Sequence, residues 1–132
     1  MDQTEHQSAM MAVSNSMVRL HKEQFGRGPT KARSHFAGPN TLVCTLEDVL
    51  VPAERKLIEL GDEGRVRDTR TSFQAATQPE FIAAVEQIVY RKVRSFASAV
   101  DVNANIAYEI FTFEQSENGQ LNSSPLSENA TA

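Results

Sequence analysis

The sequence predicts a two-layer α+β fold, a four-stranded antiparallel sheet packed against helices in the order α-β-β-α-α-β-β. Three observations lead there. Apolar residues recur at steps of three and four over the first 25 positions and again between positions 63 and 90. They alternate at period two over positions 30–36 and 42–47, and positions 94–99 and 106–113 read as two further strands. The four strand runs also come as two pairs, joined by Gly38-Pro39-Asn40 and by Asp101-Val102-Asn103-Ala104-Asn105, both rich in turn formers.

Each element has its own signal. Met10, Val13, Met17 and Leu20, flanked by Met11, Val18 and Phe25, make an amphipathic helix, and Gly26 stands where a helix-ending glycine belongs. In the next run Ala32, Ser34 and Phe36 fall on one side, with Lys31, Arg33 and His35 on the other. After the turn, Leu42, Cys44 and Leu46 oppose Val43, Thr45 and Glu47, which completes a hairpin. Pro52 to Gly61 reads as a short helix with proline in its first turn and glycine at its end. Pro79 interrupts the third helical region, and Thr77-Gln78-Pro79-Glu80 has the T-x-x-E spacing of a capping box. Two helical pieces, or a kink, are therefore expected near Gln78, the second piece with Phe81, Val85, Ile88 and Val89 on one face.

With 132 residues the chain makes one domain, expected over positions 10–114, with a flexible lead-in at 1–9. Positions 115–132 are polar and carry few large apolar groups, so a disordered tail is expected there. Its Asn122-Ser123-Ser124 and Asn129-Ala130-Thr131 read as chance sequons, because the N-terminus carries no export signal. No stretch approaches the roughly 20 apolar residues of a membrane-spanning helix. The lone Cys44 cannot form an internal disulfide and suits a reducing compartment, so a cytoplasmic protein is expected. One face of so small a sheet stays open unless a second copy covers it, which points to a homodimer.

Chemistry is harder to find. His6, His21 and His35 sit on different elements, without paired cysteines or a His-x-x-x-His spacing, so no metal site is expected. His21 reads as a surface helix residue, and His35 as a solvent-facing strand residue. There is no Gly-x-Ser-x-Gly elbow, and Cys44 falls on the apolar side of its strand, as a buried inert thiol would. Glu47, Asp48 and Glu54 read as solvated or capping rather than as a catalytic pair. No catalytic residue and no cofactor is assigned, and an enzyme ranks last.

Cations are the stronger signal. From Gly26 to Arg33 every charge is positive, although the whole chain, with 13 Lys+Arg and 17 Asp+Glu, has net charge -4. Arg27, Lys31 and Arg33, joined by Arg65, Arg67 and Arg70, can hold an anion such as a nucleotide phosphate. The alternative is that these arginines pair with Glu54, Glu59, Asp62, Glu63 and Asp68 across the surface. A nucleic-acid surface of Lys31, Arg33, Arg91, Lys92 and Arg94 with Phe36 and Phe96 is disfavoured by the net acidity, and alternation turns Phe36 toward the core. The candidate anion- or partner-binding set is Arg27, Gly28, Lys31, Arg33, Arg65, Arg70, Arg91 and Lys92.

Several short strings taken together resemble a bacterial family of small proteins named for component C of a sodium-translocating, membrane-potential-generating system. They are Phe25-Gly26-Arg27-Gly28-Pro29, Leu46-Glu47-Asp48-Val49-Leu50 before Ala53-Glu54-Arg55, and Gly64-Arg65-Val66 with Arg70 and Phe73. Phe81 with Val85-Glu86, Arg91-Lys92-Val93 with Phe96 and Ser98, and Glu109-Ile110-Phe111 complete the match over roughly positions 10–114. The resemblance implies an accessory protein tied to a membrane system for cation or inorganic-carbon transport, with a membrane-protein partner and no catalytic residues. This chain departs from the family pattern in having Val51 in place of threonine, Tyr90 in place of glycine and Ala99 in place of an acidic residue.

Overall fold

Asp2 and Glu5 start the first helix by exchanging hydrogen bonds: the Glu5 amide donates to Asp2 Oδ1 at 2.8 Å and the Asp2 amide donates to Glu5 Oε1 at 2.9 Å. A computed structural model of the protein describes residues 2–115. The elements are α1 (Gln3–Phe25), β1 (Lys31–Phe36), β2 (Thr41–Glu47), α2 (Pro52–Glu59), α3 (Glu63–Val89), β3 (Val93–Asp101) and β4 (Ile106–Phe113). This is the α+β order read from the sequence. Residues 3–9 form the first turns of α1, which opens on this capping box. The polar tail from position 116 and its two sequons lie outside the described residues.

The four strands form one antiparallel sheet in the order β1-β2-β4-β3. Alternation sorts the side chains. Leu42, Cys44, Leu46, Ala107, Phe111 and Phe113 are buried on the face that meets α1 and α3, beside Val13, Met17, Phe81 and Val85. Ring stacking runs from Phe81 through Phe96 to Phe111, with centroid separations of 5.9 and 4.7 Å. Val93 and Phe96, three residues apart, both pack on the core. A register shift between Val93 and Ser95 spends Arg94 as an extra residue, the mark of a bulge.

Of the two outcomes expected near Gln78, separate helical pieces are not found: α3 runs as one helix from Glu63 to Val89 with Pro79 inside it. Pro79 and Ala75, whose carbonyl loses its usual amide donor, both sit at exposed positions, so the defect falls on the solvent side. Thr77 does not cap. Its hydroxyl donates to the Phe73 carbonyl at 2.8 Å, one turn back, and accepts from Gln24 Nε2 at 2.9 Å. The helix ends at Tyr90, which takes the left-handed φ of 61° that a glycine would adopt freely.

Candidate functional site

Among the described residues three non-glycines have positive φ, and two of them, Asp48 and Asn105, build one corner of the molecule. Asparagine and aspartate tolerate this conformation because their short side chains bond the local backbone. Asn105 Oδ1 accepts from the Val49 and Leu50 amides, both at 2.9 Å, and the Asp48 amide donates to the Asn105 carbonyl at 2.9 Å. The segment after β2 is thereby clamped to the β3–β4 turn.

Two of the candidate cations close on this corner. Arg27 Nη1 donates to the carbonyls of Asp48 at 2.7 Å and Leu50 at 3.1 Å, while its Nη2 reaches Asp48 Oδ2 at 2.9 Å. Arg55 Nη2 approaches the other Asp48 oxygen at 2.6 Å. Hydrogen bonding from Arg27 holds the Asp48 carboxyl below its ordinary value of 3.8, with the positive charges of Arg27 and Arg55 acting in the same direction. Arg70 is buried. It grips Glu54 with Nε and Nη2, both at 2.7 Å, donates to the Val49 carbonyl at 2.9 Å, and lies 3.9 Å from the centre of the Phe25 ring.

The other candidates lie elsewhere. Gly28 serves packing: a Cβ there would sit 3.0 Å from the Val18 carbonyl oxygen, so only glycine lets this loop lie against α1. Arg65 pairs with Asp62 at 3.0 Å on the exposed start of α3. Arg91 donates to the Pro39 carbonyl at 2.8 Å and to Asn40 Oδ1 at 2.6 Å, tying the end of α3 to the first hairpin turn, and Lys92 is exposed beside it. Lys31 and Arg33 stand on the outer face of β1. Thus the eight residues do not meet at one spot: Arg27 and Arg70 share the 48–54 loop, Lys31 and Arg33 share a strand, and Arg65 and Arg91 have local partners. A groove of about 450 Å³ on α3, lined by Ala75, Gln78, Pro79, Ile82, Ala83 and Glu86, includes none of them.

One buried polar pair was missed. His21, expected on the surface, is 3% exposed, and its Nε2 lies 2.9 Å from Oε2 of Glu109, which is 0% exposed. Phe25 and Phe81 flank the imidazole. His21 Nδ1 and Glu109 Oε1 have no hydrogen-bond partner among the described residues. This contact pins α1 to the sheet centre. The signals were present: His21 follows Met17 by four positions on the apolar stripe, and Glu109 stands at an inward position between Ala107 and Phe111. Glu109 lies beside Cys44 in the register. Burial, with a contribution from the Glu109 charge, pushes the Cys44 thiol up to about 12 against the weaker effect of a hydrogen bond from Ser34, so Cys44 is inert as a nucleophile. Among the described residues no group of three or more His, Cys, Asp or Glu side chains could hold a metal ion.

The sheet's outer face is different in kind. All three helices pack on the opposite side or on one another, and no described element covers it. Cross-strand rows run Lys31–Glu47–Ile106–Asp101, Arg33–Thr45–Tyr108–Ala99 and His35–Val43–Ile110–Ala97. In these rows the centre is β-branched and aromatic apart from Glu47, the β1 edge carries Lys31 and Arg33, and the β3 edge is small or acidic, with Arg94 exposed further along at the bulge. Phe36 and Phe96 are not part of this face, since Phe36 packs on Phe113 and Phe96 stacks on Phe111.

No described helix is long and apolar enough to cross a membrane. No curated protein and no solved structure gives a significant match to the chain. A family model described as "Na+-translocating membrane potential-generating system (MpsC)" matches residues 5–115, nearly all of the folded part. The chain belongs to the MpsC family, which is named for a Na+-translocating, membrane-potential-generating system.

Proposed function

We propose that this protein is a non-enzymatic accessory subunit of a membrane system for cation or inorganic-carbon transport, cytoplasmic, homodimeric, and held at the membrane by an integral-membrane partner. Family membership supplies the membrane system. The observation that carries the accessory role is the inward use of the reactive side chains. Arg27, Arg70, Glu54 and Asp48 bind one another and the backbone of one loop, and His21, Glu109 and Cys44 are buried in the core. Groups already bonded within the fold serve shape and rigidity, whereas turnover needs reactive groups that meet a substrate.

The test is retention of the integral-membrane subunits of a sodium-translocating system by tagged protein from detergent-solubilised, crosslinked membranes. Capture of those subunits is the expected result. A protein that fractionates away from membranes and retains none of them overturns the reading. An anion sensor is distinguished by thermal shift: with Arg27 and Arg70 already bonded, Tm is expected to stay flat in millimolar phosphate, nucleotide or bicarbonate, and a saturable rise would favour the sensor.

A further inference from the structure

We propose that the outer face of the sheet is the interface with a second copy of this chain, the two sheets packing face to face about a two-fold axis parallel to the strands. This inference rests on the homodimer reading above and names the surface and its register.

Two simple arrangements bring such a face onto itself. With the axis across the strands, β1 lies over β1 of the second copy, which brings the cations Lys31 and Arg33 of both copies onto one strip, Arg33 over Arg33, and opposes association. With the axis parallel to the strands, β1 lies over β3 and each cross-strand row meets the same row in reverse order. The consequences follow from the register alone. Lys31 comes over the second copy's Asp101, and by symmetry Asp101 comes over its Lys31. Arg33 comes over Ala99 and His35 over Ala97, so the longest side chains of one edge meet the smallest of the other. At the centre Val43 meets Ile110, Thr45 meets Tyr108, and Glu47, beside Lys31 in its own row, meets Ile106, a largely apolar contact between sheets about 10 Å apart. Charge and size select the same axis independently. Two alanines and an aspartate on one edge strand fit the two cations and the histidine of the other.

The test uses the full chain with sedimentation and light scattering across micromolar concentrations. The wild type is expected at about twice the 14.6 kDa mass of one chain. Lys31→Glu and Asp101→Lys are each expected to raise the dimer Kd by about tenfold or more, because each sets like charges opposite one another. Mixing the two variants is expected to restore a heterodimer, since every facing pair is then opposite in sign, and K31E/D101K in one chain is expected to dimerise again. Ala99→Arg, at an exposed position where the monomer has room, is expected to disrupt the dimer while circular dichroism and Tm stay near wild type. A monomer at all concentrations overturns the proposal. So does a dimer indifferent to Ala99→Arg, or single variants that fail to pair with each other. A monomer that still retains the membrane subunits would remove this interface and leave the accessory role standing.

Discussion

Replacing Arg70 by methionine tests the reading of the 48–54 corner as a structural clamp. The stem would still pack, but Glu54, with 11% of its side chain exposed, would lose both 2.7 Å bonds, and the Val49 carbonyl would lose its 2.9 Å donor. Breaking a buried ion pair from one side costs about 3–5 kcal/mol, because the remaining charge stays desolvated without compensation. Loss of the cation–π contact over Phe25 acts in the same direction. In a domain of this size the expected fall in Tm is roughly 10–15 °C. Glu54→Leu strands the guanidinium instead and frees the Val51 amide, which now donates to Glu54 Oε1 at 2.9 Å. The double variant removes both charges together. Its loss is expected to be smaller than the sum of the single losses by about 2–3 kcal/mol, read from urea unfolding followed by circular dichroism. Additive losses, or an Arg70→Met loss below about 1 kcal/mol, would refute the clamp, since neither agrees with two desolvated charges that depend on each other.

Three other outcomes follow from single residues. Val51 precedes α2 without a side-chain acceptor, although Glu54 already forms its half of a capping box. Val51→Thr is therefore expected to add about 1 kcal/mol, and an unchanged urea midpoint would show that the hydroxyl does not reach the Glu54 amide. Tyr90 holds a left-handed φ of 61° with its side chain 86% exposed, so Tyr90→Gly relieves backbone strain while removing little packing; a gain of about 0.5–1 kcal/mol is expected, and any loss would contradict it. Cys44 is expected to resist alkylation at pH 8 until urea unfolds the chain. Its folded-state pKa of about 12 lies above the ordinary 9.0, so the thiol's contribution is complete below pH 9 and is lost as pH rises toward 12. The stability advantage of wild type over Cys44→Ala should therefore shrink across that interval, and an advantage constant with pH would contradict the burial of the thiol.

The local signals were dependable where one residue determines the backbone. Gly26 ends α1 at a φ of 86°, Gly61 follows α2 at 80°, and the alternation of 42–46 and 107–113 sorts core from exterior side by side. They were misleading where a motif has two uses. Thr77-Gln78-Pro79-Glu80 has the spelling of a helix start, yet α3 passes through it, because Gln24 and the Phe73 carbonyl occupy the Thr77 hydroxyl and the proline defect faces outward.

The order of elements, the inward side of β1 and β2 and the family were legible in the sequence, since these rest on periodicities and strings that a chain carries before it folds. Tertiary structure decided which charges meet. Arg27 found Asp48, Arg70 found Glu54, and His21 found Glu109, which is 88 positions away. Pairing at that range depends on how layers stack in space, and no local spacing records it. The same stacking left one face of the sheet uncovered by the described elements.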